Sequence, residues 1–342
     1  MKAAVLAGLQ QPFRVAEVAV PEIGPEEVLI ATETCGICRT DLHIQDGLAY
    51  IPAFPHVPGH EPAGHIAAVG ERVQRLRVGQ RVTTHLFLTC GCCRFCRTGH
   101  DAQCARVGGI IGVTQHGGFA EYFKAPARNV LPLPDAVSFE TGGLVSCGVI
   151  TAVHAYRRSQ VKAQEVAVVV GAGGIGLMLV QLLQHAGLRV VAVSRSEENL
   201  GSARSAGASL AISPAAPEAV DRIRTFAGED GADCAFDCVG TAATMEFAAS
   251  VLRRMGKLVV IGEEPEHAKL DTIQIAQREL EIIGSRNGSI QDASDALAWL
   301  DAGVIQPQIG GRFPLEGLNE ALHLMRSGAS HGRLILQIRP QR

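Results

Sequence analysis

A chain of 342 residues with 47% hydrophobic and 19% charged residues is too long for one ordinary core and too apolar for a disordered one. Two domains are therefore expected. The net charge of −3 comes with no basic block, so the electrostatic footprint of a nucleic-acid partner is missing. Thirty-eight glycines against 4% aromatics suit a glycine-rich α/β protein.

The opening residues Met1-Lys2-Ala3-Ala4-Val5-Leu6-Ala7 turn polar too soon for a signal peptide. From there to about residue 134 the signals are short apolar runs broken by Gly and Pro, such as 27–32 and 64–70, which read as β-rich and loop-rich. Within this stretch Cys35-Gly36-Ile37-Cys38-Arg39-Thr40-Asp41-Leu42-His43 and Gly59-His60-Glu61 gather thiols, imidazoles, carboxylates and a hydroxyl. A catalytic zinc takes three sulfur or nitrogen ligands and keeps one position open. Cys38 and His60 could supply two, and Cys147 in Val145-Ser146-Cys147-Gly148-Val149 is the candidate for the third. A small core thiol and a turn histidine would also account for the first two.

Ten cysteines without an export signal point to metal and away from disulfides. Cys90, Cys93, Cys96 and Cys104, separated by two, two and seven residues among Gly91, Arg94, Arg97, Thr98 and Gly99, lie in a loop. Four thiolates so close in sequence can close tetrahedrally on one zinc with no core beneath them, leaving no open position, so this site would be structural. Cys92 inside the run is a fifth sulfur, although the spacing favours the other four.

Around 139–161 the texture becomes helical. A regular alternation follows: strand 166–170, helix 177–186, strand 189–193, helix 197–206, strand 209–212, helix 217–227, strand 234–237, helix 241–254 and strand 257–261. Alternating βα units imply a doubly wound parallel sheet. The uncharged run 166–184 approaches a membrane span in length, but its cluster of glycines reads as strand, turn and helix, so no membrane is involved. That cluster, Gly171-Ala172-Gly173-Gly174-Ile175-Gly176, fits G-x-G-x-x-G directly after a strand and before a helix. The first glycine permits the turn, the second admits a pyrophosphate, the third lets helix pack on strand, and the helix N-terminus offers N–H groups to the phosphates.

At the end of the next strand, Ser194-Arg195-Ser196 stands where an acidic residue would hold a ribose hydroxyl. Ser194 and Arg195 could instead bind a 2′-phosphate, which favours NADP(H) over NAD(H), although Glu197 and Glu198 follow directly. Helices are expected at 291–301 and 315–325, and a last strand, 333–338, returns to the first domain. The expected division is 1–148 with the zinc sites, 149–285 for the dinucleotide, and 286–342 completing the first domain.

Together the segments around Cys38 and His60, the four-cysteine lobe, Cys147-Gly148 and the glycine fingerprint make the chain resemble the zinc-containing medium-chain alcohol dehydrogenases over nearly its whole length. The resemblance implies a GroES-like catalytic domain, a Rossmann domain and two zinc ions per chain. Cys38, His60 and Cys147 would hold the catalytic zinc, with Glu61 an occasional fourth ligand and Asp41 orienting His60. Cys35 would not be a ligand. Arg333 would bind the pyrophosphate. Cysteine at 147, where relatives acting on polyols tend to carry an acid, implies simpler alcohols.

Hydride leaves readily only from an alkoxide, and zinc lowers the pKa of bound water from about 15.7 to about 7. A zinc-bound alcohol should respond similarly, giving an aldehyde or ketone by hydride transfer to NAD(P), with reduction as the reverse. Thr40 would take the proton and His43 pass it to solvent. A specialised cyclic or CoA-linked alcohol is the alternative substrate, and His85, Leu86, Phe87, Leu48 and Tyr50 are pocket candidates. A relative that has lost catalysis should lose metal ligands, yet all three are present. We expect a cytoplasmic homo-oligomer, dimer or tetramer, acting on a small molecule, with no nucleic-acid or membrane partner.

Overall fold

The structure is a computed structural model that describes residues 1–48, 50–228 and 230–339. It divides into two compact units, Met1–Ile150 with Gly288–Gly303 and Gln308–Arg342, and Thr151–Asn287 with Val304–Pro307.

In the first unit a hairpin pairs β1 (Lys2–Val5) with β2 (Arg14–Glu17). A seven-stranded sheet is built around the long β3 (Glu27–Ile37), flanked by β4 (Glu61–Val69) and by the final strand, β15 (Arg333–Gln337). Strands β5 (Arg81–Thr84), β6 (Tyr122–Pro126) and β7 (Val130–Pro132) extend it, β6 pairing with β3. Alternation along β3 puts Val28 and Ile30 in a core with Ile66, Val82 and Phe123, as expected for a sheet with one buried face.

In the second unit six strands run parallel: β8 (Val166–Val170), β9 (Arg189–Val193), β10 (Leu210–Ile212), β11 (Ala232–Asp237), β12 (Leu252–Val260) and β13 (Glu281–Gly284). Their order is β10-β9-β8-β11-β12-β13, with the reversal beside β8 that defines a doubly wound sheet. All five residues of β8 are buried, which explains the unbroken run Val-Ala-Val-Val-Val. Short helices lie at Arg94–Arg97 and Phe139–Gly143 and a longer one at Gly148–Ser159, within the stretch expected to be helical. The others, in chain order, are α1 (Arg39–Asp46) in the first unit, then α2 (Gly174–His185), α3 (Glu197–Ser205), α4 (Ala219–Ala227), α5 (Ala242–Ser250) and α6 (Thr272–Gln277). Among the described residues no helix is long and apolar enough to cross a membrane.

After these come α7 (Ile290–Asp301), β14 (Ile309–Pro314), α8 (Leu318–Arg326) and finally β15, which pairs antiparallel with β3. The helix expected over 241–254 stops at Ser250, and β12 starts at Leu252, five residues ahead of the expected 257. Pairing of Leu252 with Ala232 of β11 overrides the local helical tendency, and a register shift between Ala232 and Cys234 absorbs the mismatch. Two further elements, α6 and β13, carry no clear pattern in the sequence, being short and largely exposed.

His56 hydrogen-bonds Leu6 through both backbone groups, and its buried ring stacks on His116 at 5.4 Å with Nε2 unpartnered. Burial first, then the His116 charge, pull its pKa from 6.5 to about 4. Between those values the unfolded chain binds more protons, so the neutral ring's contribution is present above pH 6.5 and lost as pH falls toward 4. His56→Phe, which keeps a stacked ring, should lessen the stability lost between pH 7 and 5 by about 2 kcal/mol. Urea midpoints at the two pH values measure this, and identical losses in both proteins would refute it.

Candidate active site

The register of three strands assembles one cluster. Opposite Gly36 of β3 lie Glu61 on β4 and Ile335 on β15, and Ile37 lies opposite Leu334. Cys38 just beyond β3, His60 just before β4 and Arg333 at the start of β15 therefore meet at one end of the sheet. Gly36 leaves room for the Glu61 carboxylate: a Cβ there would sit 2.1 Å from Oε2, which Arg333 holds, and the side chain would have to move away. Cys147 arrives on the turn Leu144–Ser146, which is tied to β5 by the Ser146 hydroxyl donating to Thr84 O at 2.6 Å.

One ligand atom from each of Cys38, His60, Glu61 and Cys147 lies within 4.8 Å of the others. The Cys38 and Cys147 sulfurs are 4.0 Å apart. Tetrahedral zinc, with Zn–S near 2.3 Å, would put them roughly 3.8 Å apart. The Asp41 carboxylate is divided: Oδ2 accepts the Cys38 N–H at 2.9 Å, boxing the start of α1, and Oδ1 faces His60 Nδ1 at 3.3 Å. That ion-pair contact is not a formed hydrogen bond, but it turns Nδ1 toward the carboxylate and leaves Nε2 buried without a hydrogen-bond partner, so a neutral imidazole protonated at Nδ1 would offer Nε2 to a metal.

The electrostatics are those of a site short of positive charge. The hydrogen bond with Cys147, ahead of His60 and Arg333, holds the Cys38 thiol well below its ordinary range. The same bond, with burial, pushes Cys147 well above its own. Burial alone would lower His60, but Asp41 and Cys38 raise it well above 6.5. Burial lifts Glu61 to about 7 despite Arg333, which donates to Oε2, while the Gly148 N–H donates to Oε1 at 3.0 Å. A divalent cation among these atoms would let both sulfurs ionise, and the unpartnered Nε2 would complete its shell. The residues fit zinc.

Cys35 is fully buried, its Sγ near Gly36 O, and stands outside the cluster. Thr40 Oγ1 lies 3.8 Å from Cys38 Sγ. His43, one turn further along α1, is buried with Nε2 unpartnered. Arg333 was expected to serve a pyrophosphate; its described partners are Glu61 and Ile37 O. Of the pocket candidates, Leu86 and Phe87 belong to a buried apolar cluster with Tyr50 packed against it, His85 Nε2 meets Gly288 O at 3.0 Å, and Leu48 is exposed.

In the second cluster Cys90, Cys93, Cys96 and Cys104 bring their sulfurs together, with separations of 3.4, 3.9 and 4.0 Å among the close pairs. Backbone N–H groups of Cys90 and Arg106 both donate to Cys104 Sγ at 3.3 Å, an arrangement suited to a thiolate. Backbone hydrogen bonds lower Cys90 to about 5, while burial and the neighbouring thiols raise Cys96 to about 12. One cation at the centre would relieve that conflict. Cys92 lies outside the four, exposed, accepting from Arg106 at 3.0 Å.

In the second unit Gly171 has φ 94°, Gly176 would drive a Cβ to within 2.1 Å of Gly171 O, and a Cβ on Gly173 would meet nothing. Turn, close packing and an open face therefore fall in the fingerprint's order, and Gly174 and Ile175 open α2 with no side-chain cap on its N–H groups. The open face fits a pyrophosphate. Sequence reasoning missed Asp237 at the end of β11. It is fully buried and accepts from the Val239 and Gly240 N–H groups and from Thr244 Oγ1, setting the loop that packs on Gly171. A lone acid closing a strand was its only signal. Ser194 Oγ accepts the Ser196 N–H, Ser196 caps α3, and Arg195 is exposed.

Two thiolate-rich sites and a dinucleotide turn define a zinc-dependent dehydrogenase. Comparison with known proteins agrees. Residues 24–135 match the alcohol dehydrogenase GroES-like domain and 174–302 the zinc-binding dehydrogenase domain. An alcohol dehydrogenase of Geobacillus stearothermophilus is 34% identical over 99% of this chain and 100% of its own. An L-threonine 3-dehydrogenase of Legionella pneumophila (strain Corby) is 32% identical over 98% of this chain and 99% of its own. The alcohol dehydrogenase of Aeropyrum pernix superposes with a TM-score of 0.92 at 29% identity, covering 99% of this chain and 100% of that one. The chain belongs to the zinc-containing medium-chain alcohol dehydrogenase family.

Protein purified without chelator should hold two zinc ions per chain. Changing Cys93 and Cys96 together to Ser should leave one zinc and lower the melting temperature. An unchanged metal content, by elemental analysis, would defeat the assignment of the four-cysteine lobe.

Proposed function

We propose that this protein interconverts a simple alcohol and its aldehyde or ketone, with NADP(H) preferred over NAD(H). The observation that carries the reaction is the clustered Cys38, His60, Glu61 and Cys147 set, with Asp41 facing His60 Nδ1 at 3.3 Å. Cys38, His60 and Cys147 would hold a zinc that, when bound, acidifies an alcohol hydroxyl, while the dinucleotide on the glycine turn exchanges the hydride. Glu61 is anchored by Arg333 and the Gly148 N–H, so its carboxylate stays beside the sulfurs without claiming a place of its own. Thr40 Oγ1 accepts the hydroxyl proton, and His43, buried with an unpartnered Nε2, takes it onward from the same helix. The cysteine at 147 favours an alcohol without neighbouring hydroxyls. Ten free thiols suit a reducing compartment such as the cytoplasm.

The cofactor preference rests on the end of β9. No carboxylate pairs with Arg195 among the described residues, and the nearest in sequence, Glu197, is engaged with Arg204 at 2.9 Å. A guanidinium and the Ser194 hydroxyl are thus available to a 2′-phosphate.

Cys38→Ser should cut kcat/KM for alcohol oxidation roughly a thousandfold or more, since it removes several kcal/mol of metal-derived stabilisation. Dinucleotide binding, followed by fluorescence, should change little. Activity persisting in a zinc-free variant would rule out the metal mechanism. For the cofactor, kcat/KM should favour NADP(H), and Arg195→Ala should erase most of the gap. A charge-assisted contact contributes roughly 1.5–3 kcal/mol, or about tenfold to a hundredfold. A wild type that prefers NAD(H) would overturn this part alone.

A further inference from the structure

The end of the parallel sheet away from the glycine turn carries arginines that the proposed reaction does not use. Arg224 lies in the last turn of α4, Arg254 in β12, and Arg278 just past α6. All three are gathered on the short connection from α5 into β12. Arg224 Nη2 donates to Ser250 O at 2.6 Å and Arg278 Nη2 donates to Leu252 O. The Met255 N–H, next to Arg254, donates to Arg278 O at 2.7 Å. Burial and then the Arg224 and Arg254 charges pull Arg278 below the usual arginine range, so the three guanidinia repel one another.

Asp233, on the adjoining strand, is engaged by a fourth arginine, Arg253, at 2.7 Å. Glu279 follows Arg278 in sequence. Among the described residues, however, no carboxylate lies within ion-pair distance of Arg224, Arg254 or Arg278. Arg224 Nε is buried without a hydrogen-bond partner. The Ser250 and Leu252 carbonyls each take one of these arginine N–H groups, a small share of the five donors that each guanidinium carries.

We propose that Arg224, Arg254 and Arg278 form a site for a small oxyanion of the phosphate class. Planar guanidinium forks match the paired oxygens of a tetrahedral oxyanion, and three of them can neutralise a dianion that a single surface arginine would not hold. The site is separate from the dinucleotide turn. Leu252 begins β12 and pairs with Ala232 at the start of β11, whereas the glycine turn follows the far end of β8, five residues along the same parallel sheet. One such strand length is roughly 16 Å.

The test uses zinc-loaded enzyme saturated with dinucleotide, so that the glycine turn is covered. Inorganic phosphate is titrated and followed by ³¹P line width and calorimetry. Saturable binding of one phosphate per chain is expected, persisting against chloride at matched ionic strength. Arg254→Gln should weaken it tenfold or more, and Arg254→Lys should recover part of the loss. Arg254 is exposed, so these variants should fold and turn over alcohol as the wild type does. A parallel titration with glycerol phosphate distinguishes the sources: comparable affinity marks a monoester site, rejection a site for the free ion. Absent saturation, displacement by chloride, or binding that Arg254→Gln leaves unchanged would each overturn the proposal.

Discussion

Everything at the candidate metal site depends on the register in which β3 lies between β4 and β15. That register sets Gly36 beside Glu61 and Ile335, and so sets Cys38, His60 and Arg333 around one point. A shift of one residue would turn every side chain of β3 to the opposite face. Hydrophobic alternation along β3 holds the register, so the apolar core on one side of the sheet fixes the chemistry at its end. Glycine at 36 is the local sign of how close the strands and the Glu61 carboxylate come.

Within that frame polar groups are shared economically. Asp41 begins α1 by accepting the Cys38 N–H and, with its other oxygen, turns His60. One carboxylate thus couples a helix start to the orientation of an imidazole on a different segment of the chain. Glu61 and Arg333 likewise neutralise each other in a place where either alone would be costly. In the four-cysteine lobe the supporting bonds are almost all local, from backbone N–H to sulfur within 14 residues.

Much of this was legible in the sequence because it is local. The lobe spacing, the strand–turn–helix around Gly171, and the βα alternation each declare themselves within a few residues. What stayed hidden was non-local or conditional. Pairing with β11 drew residues 252–256 into a strand against their own tendency, and β13 showed no pattern because much of it is exposed. Arg333 could be linked to a cofactor by resemblance, but its pairing with Glu61, 272 residues earlier, is a property of the closed sheet. Leu86 and Phe87 read as pocket candidates in the sequence, and only the fold shows them in a buried cluster against which Cys147 packs.

The placement of β15 bears on how the chain becomes a protein. The residues that gather at the metal cluster, apart from Arg333, all lie by position 147, so a ribosome releases them early. The partner of Glu61, Arg333, follows the whole second unit in the chain. Until β15 closes on β3, that carboxylate lacks its arginine, and burial favours its protonated form. Residues Thr34–Ile37 of β3, beyond the stretch paired with β6, lack their β15 partner for the same interval and are open to another extended segment. Completion of the Glu61–Arg333 pair therefore waits for β15, and until then that part of β3 is exposed to mispairing.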